Sequence, residues 1–180
     1  MYKFERHRQS GLDDFNQPAG LKMNPENRWV KKAAMIPWEA IEEKYAKLFP
    51  SGTGMPAKPL QMALGSLMIQ KQYGYSDREL LEQITKNPYY QYYIGLPGFS
   101  SEPPFVPSLL VEFRKRLDDD VMNEINEMIL AYNTSDDPGS GADGGKFDVA
   151  IFDVQVAKFQ VVMYAKLSRN SVSSVLMSRH

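Results

Sequence analysis

Proline and glycine divide residues 27–133 into short segments, and in each segment apolar residues recur with the spacing of an α-helix. Pro37 is well placed as the first residue of one such helix, because its fixed φ suits the first turn and its missing N–H has no partner there. The apolar positions that follow it at helical spacing are Trp38, Ile41, Tyr45 and Leu48. This segmentation predicts a mainly α, multi-helix domain.

A longer helix is predicted from about residue 58 to residue 73. Its apolar face comprises Leu60, Leu64, Leu67 and Met68. Gly74 follows as a C-terminal cap, and Ser76 with Glu79 forms the capping-box pattern that starts the next helix. The inward positions of that next helix are Leu80, Leu81 and Ile84. Because a glycine in a short turn lets two helices meet steeply, we expect a helix-turn-helix-like corner here.

Two more helices are expected further along the chain. The apolar positions of the first, which starts at Pro107, are Leu109, Leu110, Phe113 and Leu117. The second runs from about Asp119 to Tyr132, and it should bury Val121, Ile125, Met128 and Ile129. An aromatic group precedes both helices and consists of Tyr89, Tyr90, Tyr92, Tyr93 and Phe99. Such a group favours packing between helices over stacking on nucleic-acid bases.

The remaining segments differ in composition from the helical domain. Residues 1–26 are polar with scattered Gly and Pro, which predicts a flexible N-terminal arm on which Phe4 and Phe15 are able to dock. Residues 134–146 have the composition of a Gly/Ser/Asp linker. Residues 147–180 are rich in Val, Phe and Ile and predict a short β-prone C-terminal fragment, too small to form a stable sheet alone.

Composition and charge exclude several classes of protein. The chain has no cysteine, and its two histidines, His7 and His180, lie at opposite ends, so neither a thiolate nor a paired-histidine metal site is expected. The sequence contains no run of about 18 apolar residues, which a membrane span requires, and we expect a cytoplasmic protein. The net charge is −1, so any contact with DNA requires a local basic patch. A modest basic excess lies in residues 1–72.

Two groups of side chains are candidates for such a patch. On the second helix of the corner, the candidates for DNA contact are Arg78, Gln83 and Lys86. The other group is a basic run suited to neutralising phosphates, Arg114, Lys115 and Arg116. The neighbours Phe113 and Leu117 should point inward. A solvated helix end, where the helix dipole stabilises cations, explains the same run without DNA.

Carboxylates decide whether this chain can perform metal-dependent phosphoryl transfer, which needs several of them around bound metal ions. Asp148 and Asp153 lie in the β-prone fragment, and residues 154–180 contain neither Asp nor Glu. Asp118, Asp119 and Asp120 are explained as the start of a helix, where negative charge is stabilised. We therefore assign no catalytic residue and no metal ligand to this chain.

The chain contains, in this order, the segments NRWV, IPWEAIEEKYAKLFP, YYIGLPGF and PSLLVEFRKRL. They resemble the N-terminal domain of DDE-type insertion-sequence transposases, and in particular the InsH-type domain of the insertion-sequence-five superfamily. The resemblance extends from residue 27 to about residue 146. It implies an all-helical domain that binds DNA at the ends of the mobile element, followed by a ribonuclease-H-like catalytic domain that uses Mg²⁺ for strand transfer.

The resemblance stops abruptly after Lys146. Members of the family continue with a strand that ends in an Asp-Ala-Thr motif, whereas this chain continues with FDVAIFDVQVAKF. Residues 147–180 are therefore interpreted as a frameshifted tail or as the remnant of a catalytic domain. The expected protein is a truncated transposase that binds DNA, is catalytically incompetent and carries no cofactor.

Two other interpretations remain open beside DNA binding. The domain is also interpreted as a protein-interaction module that pairs with full-length transposase or inhibits it. Self-association with a second copy of the chain is a further possibility of this kind. The last interpretation is that the chain is a non-functional pseudogene product. The expected partners are thus element-end DNA, full-length transposase or another copy, and no membrane.

Overall fold

The computed structural model describes residues 11–17, 20, 22–49 and 57–134. Seven α-helices occur in these residues: α1 Arg28–Ala34, α2 Trp38–Ala46, α3 Leu60–Tyr73, α4 Asp77–Lys86, α5 Pro88–Tyr93, α6 Leu109–Arg116 and α7 Asp119–Thr134. One turn of 3-10 helix, Leu12–Asp14, precedes them. The described residues form no strand, so the mainly α fold class is confirmed. The predicted β-prone fragment and nearly all of the predicted linker lie outside the described residues.

Helix α2 begins at Trp38, one residue after its predicted start at Pro37, and α1 begins directly after Asn27. The side-chain oxygen of Asn27 accepts a hydrogen bond from the Trp29 N–H at 2.9 Å and caps α1. The Trp38 indole N–H donates to the carbonyl of Ala33 at 2.8 Å, which fixes α2 against the end of α1. Three of the four predicted apolar positions of α2 are buried. Leu48 is the exception with 37% exposure, because the helix ends at Ala46 and the inward face ends with it.

Helix α3 lies at the centre of the described helices and packs against α2, α4, α5 and α6. All of its side chains from residue 60 to residue 66 are buried, so the single apolar face predicted for it is too narrow. Leu67 and Met68, assigned to that face, are only half-buried. At Gly65 an added Cβ would lie 3.2 Å from Cγ2 of Ile94, so glycine permits the close approach of the chain that follows α5.

Aromatic side chains join α1, α2 and α5. The Trp29 ring meets Tyr93 edge-to-face with centroids 4.7 Å apart and meets Tyr90 at 5.1 Å. Trp38 contacts Tyr93 at 5.8 Å from another side. Burial raises the pKa of Tyr93 well above its usual value, so the phenol stays neutral. The prediction that these tyrosines serve packing is confirmed for Tyr90, Tyr92 and Tyr93, which are buried.

A buried glutamine on α5 holds the long loop that leads to α6. The Gln91 amide N–H₂ donates to the carbonyls of Ile84 at 3.0 Å and Ser100 at 2.7 Å. Its oxygen accepts from the Ser100 N–H at 2.8 Å. Because these partners come from α4 and from the loop, one side chain of α5 fixes the loop against the junction of α4 and α5.

The described part of the N-terminal segment packs against the same loop and α5. Phe15 is buried, as its predicted docking requires, and it meets Tyr92 edge-to-face at 5.8 Å. Asn16 donates its N–H to the carbonyl of Pro97 at 3.1 Å. An isolated parallel bridge joins Asn16 to Gly98, where an added Cβ would lie 2.7 Å from the Asn16 carbonyl oxygen. Glycine at position 98 is therefore required for this close approach.

The last two helices complete the described structure. Helix α6 begins at Leu109, two residues after the predicted start at Pro107. Helix α7 buries Ile125 and Ile129, whereas Val121 and Met128, also predicted to be buried, are half-buried. Among the described residues, no helix combines the length and apolar character needed to cross a membrane.

Candidate nucleic-acid interface

The corner between α3 and α4 has the local geometry that the sequence predicts. Gly74 adopts a left-handed conformation with φ 70° and ψ 26°, and its N–H donates to the carbonyl of Gln70 at 2.8 Å. Three residues separate the two helices. The Ser76 hydroxyl accepts from the Glu79 N–H at 3.3 Å, and the Glu79 carboxylate accepts from the Ser76 N–H at 2.8 Å. The capping box is therefore confirmed, and it fixes where α4 starts.

Helix α4 turns its apolar side toward the other helices. The three inward positions predicted for it, Leu80, Leu81 and Ile84, are all buried. The candidate DNA-contacting residues Arg78 and Lys86 are exposed, and Gln83 is half-buried. This orientation leaves a polar surface along the outside of α4.

The candidate cations on α4 differ in their partners. Arg78 lies in the first turn, and within the described ranges it makes no recorded hydrogen bond or ion pair. Lys86 forms an ion pair with Glu82 at 2.5 Å, one helical turn away. Both partners of that pair are exposed, and such pairs contribute little stability, so Lys86 can exchange Glu82 for another anion at small cost.

Arg114 on α6 is bound to the start of α4. Its guanidinium donates to both carboxylate oxygens of Asp77, at 2.9 and 2.8 Å, and to the side-chain oxygen of Gln70 at 3.2 Å. Gln70 in turn donates to Asp77 at 2.7 Å. The hydrogen bonds from Arg114 lower the pKa of Asp77, and the same contact raises the pKa of Arg114. We call these three residues the Arg114 clamp, since they join α3, α4 and α6.

The other two cations of the basic run have different surroundings. Lys115 is exposed and forms an ion pair with Glu112 of its own helix at 3.1 Å. Arg116 is half-buried, with its guanidinium 5.0 Å from the centre of the Phe49 ring and 3.6 Å from the Glu112 carboxylate. Phe113 and Leu117 point inward as predicted. The run therefore does not act as one patch, and Lys115 is its outermost cation.

Helix α1 brings two further cations near the corner, and sequence reasoning did not include them among the candidates. The Trp29 ring lies 6.2 Å from Tyr73, the last residue of α3. The exposed Arg28 guanidinium lies 5.7 Å from the Trp29 ring, and the Lys32 amino group lies 4.9 Å from it. Arg28 and Lys32 both belong to the basic excess noted in residues 1–72. The sequence pattern near them does not show, however, that α1 packs beside the end of α3.

Lys32 differs from the other cations because it is buried, with 7% exposure. Its amino group donates to the Gln72 side-chain oxygen at 2.6 Å. Burial, assisted by the nearby charge of Arg28, lowers the pKa of Lys32 to about 8. Lys32 is therefore partly neutral at mildly alkaline pH and does not present a surface charge to a ligand.

The acidic side chains on the outside of α4 are each engaged within the protein. Asp77 is bound by Arg114, Glu82 pairs with Lys86, and Glu79 completes the capping box. The Ser76 hydrogen bonds also lower the pKa of Glu79. Their negative charges are thus partly compensated near the candidate interface. In the described residues no cluster of three acidic or histidine side chains is arranged to hold a metal ion, and Asp148 and Asp153 lie outside them.

Comparison with known proteins identifies the family. The family model of the transposase domain (DUF772) matches residues 19–116, more than half of the chain. An uncharacterized protein of Rhizobium meliloti, ORF8 in the nfe locus, is 28% identical over 117 residues, which are 64% of this chain and 56% of that relative. The chain thus matches about half the length of that relative. No solved structure matches it. The matched residues contain α1 to α6 with the corner between α3 and α4, and the chain belongs to the transposase domain family.

Proposed function

We propose that this domain binds DNA through the α3–α4 corner, with α4 lying in the major groove. The observation that carries the proposal is the orientation of α4, whose apolar side is buried while Arg78, Gln83 and Lys86 remain accessible. The transposase family supports it, because transposition acts on DNA. Within that family, the segments from NRWV to PSLLVEFRKRL favour the InsH-type domain and the ends of the element as the DNA that is bound.

Phosphate contacts would come from cations on three helices around the corner. They are Arg28 on α1, Arg78 and Lys86 on α4, and Lys115 on α6. Each lysine or arginine that neutralises a phosphate releases condensed counterions, so affinity falls as salt rises. Four such contacts correspond to a slope of roughly −3 to −4 in a plot of log affinity against log salt.

Fluorescence anisotropy with a labelled duplex tests this proposal. The probe is the DNA that flanks the coding sequence, and a scrambled duplex of equal length is the reference. Arg78→Ala should weaken binding and reduce the magnitude of the salt slope by about 1. Lys47→Ala is the matched control, because Lys47 is an exposed cation after α2 and away from α4 in the chain. No binding, or binding that does not change with salt, would contradict the proposal.

We also propose that these 180 residues do not catalyse strand transfer by themselves. Asp148 and Asp153 are the only acidic residues in 147–180, which is too few for a site of three carboxylates. The test is incubation of the purified chain with element-end duplex and Mg²⁺, followed by electrophoresis. Cleaved or joined DNA would disprove this part of the proposal.

A protein partner is the second candidate function. Val106 and Val111, near and on α6, are apolar side chains with 63% and 43% exposure. Such side chains are more frequent at contacts between proteins than at contacts with phosphates. Light scattering on the purified chain, and copurification with full-length transposase, separate this candidate from DNA binding. Val111→Ser should weaken an association through this surface and leave DNA affinity unchanged.

A further inference from the structure

We propose that Arg114 is a positioning residue for α4, acting through Asp77, and not a phosphate contact. The inference rests on the proposed DNA binding by α4. It assigns different tasks to neighbouring cations of one basic run, which sequence alone treats as equivalent.

The geometry of the Arg114 clamp supports this role. The planar guanidinium makes two parallel hydrogen bonds to the Asp77 carboxylate, the arrangement in which arginine binds a carboxylate most strongly. A phosphate would have to displace both bonds and leave Asp77 without its cation. Lys115, by contrast, pairs through one contact with half-buried Glu112 of its own helix, which also pairs with Arg116. Lys115 is thus the cation of this run that is easier to transfer to DNA.

The location of Asp77 shows what the clamp does. Asp77 is the first residue of α4 and comes directly after the capping residue Ser76. The clamp fixes this position to Gln70 on α3 and to Arg114 on α6, which is 37 residues away in sequence. The short turn sets where α4 begins, and the clamp adds a second attachment that restricts its direction. Misdirection of α4 would misplace Arg78, one residue further along.

The two possible roles of Arg114 predict opposite effects of Asp77→Ala. If Asp77 were only a negative charge near DNA, its removal would strengthen binding. If Asp77 is the point through which Arg114 holds α4, its removal weakens binding although a negative charge is lost. We expect Asp77→Ala and Arg114→Ala each to weaken binding about tenfold, and the double variant to be no weaker than either one, as for residues that act as a unit.

The experiment measures binding of the full chain and its variants to the same duplex at several salt concentrations. Arg114→Ala should leave the salt slope unchanged, whereas the matched variant Lys115→Ala should reduce its magnitude by about 1. Arg114→Lys should bind as weakly as Arg114→Ala, because lysine keeps the charge but not the paired hydrogen bonds. Circular dichroism and thermal unfolding check that each variant is folded.

Each outcome supports or overturns the inference. Stronger binding by Asp77→Ala, a smaller salt slope for Arg114→Ala, or full affinity of Arg114→Lys would each assign Arg114 to phosphate and overturn it. If Arg114→Ala does not fold, Arg114→Lys and Asp77→Ala still decide between the roles. Failure of the unsubstituted chain to bind the duplex at any salt concentration overturns the proposed function, and this inference with it.

Discussion

At the scale of single residues, Gly74 determines how α3 is followed by α4. Its φ of 70° lies in the left-handed region, which residues that have a Cβ rarely adopt. An added Cβ at Gly74 would meet nothing within 4 Å, so the requirement for glycine comes from the backbone and not from lack of space. Substitutions at this position therefore report backbone strain alone.

Gly74→Ala should lower the free energy of unfolding by about 1–2 kcal/mol, the cost of the left-handed conformation for alanine. Gly74→Asn should cost less although asparagine is larger, because its side chain tolerates this conformation. Urea denaturation of both variants measures the difference. Equal losses, or a larger loss for asparagine, would show that steric contact and not backbone conformation governs this position.

Lys32 makes stability depend on pH in a direction set by its lowered pKa. Its pKa is about 8 in the folded protein and 10.5 in its ordinary state, so between these values the unfolded chain binds more protons. Stability should therefore rise as pH increases from about 8 toward 10. Lys32→Met should show a smaller rise, because only Lys71, whose pKa burial also lowers, then contributes in the same direction. Urea denaturation at pH 7 and at pH 9.5 measures the difference.

Lys31→Met is the matched control for that experiment. Lys31 is the preceding residue, is exposed and pairs with Glu26 at 2.6 Å, so its removal deletes the same charge without changing a buried group. The rise in stability should persist in Lys31→Met. If it disappears there as well, or persists undiminished in Lys32→Met, the buried amine of Lys32 is not its source.

At the scale of elements, the helices differ in whether a side-chain hydrogen bond caps their first turn. Ser76 caps α4 with its hydroxyl and Asn27 caps α1 with its amide oxygen. Ser108 occupies the corresponding position of α6, where its side chain makes no capping bond within the described part of the chain. The residue type alone does not reveal this difference, because a cap also requires an extended backbone at the capping residue.

Ser76→Ala should lower the free energy of unfolding by about 1 kcal/mol, the usual value for a lost capping hydrogen bond. Hydrogen exchange should accelerate first at the amides of residues 77–79. Ser108→Ala serves as the control and should leave both measurements almost unchanged. A comparable loss from both substitutions would mean that the α4 cap contributes nothing specific.

Local sequence patterns predict where helices lie better than they predict which residues the helices contact. Helices α2, α3, α4, α6 and α7 and the capping box at Ser76 were predictable, because propensity, proline, glycine and capping residues act within a few positions. The burial of every side chain from residue 60 to residue 66 of α3 was not predictable, since apolar spacing indicates that a helix has an inward face but not how many neighbours surround it. The partners of Arg114 were equally inaccessible, because Asp77 is distant in sequence and an exposed run of cations has the same pattern with or without such a partner.

At the scale of the whole molecule, the two tryptophans of the chain meet at one ring. Trp29 on α1 and Trp38 on α2 both contact Tyr93, and all three are buried. Because the same ring also belongs to α5, which packs against α3 and α4, separation of α1 from the other helices would expose this cluster.

We expect tryptophan fluorescence and the helical circular dichroism signal to change together in a single unfolding transition. The expected result in a urea titration is the same midpoint for both signals. Tyr93→Leu should lower that midpoint for both equally, since it removes the ring that links the helices. Two separated midpoints would show that α1 and α2 unfold independently of the remaining helices.

The docked N-terminal segment has a consequence for the boundaries of the domain. The family similarity covers residues 19–116, whereas Phe15 packs on Tyr92 and α7 buries Ile125 and Ile129 beyond that range. A recombinant fragment cut at the limits of the similarity would expose those surfaces and is expected to aggregate. The segment that is similar to the family is thus shorter than the segment that this chain needs to fold. Expression of the domain should begin before residue 11 and continue beyond residue 134.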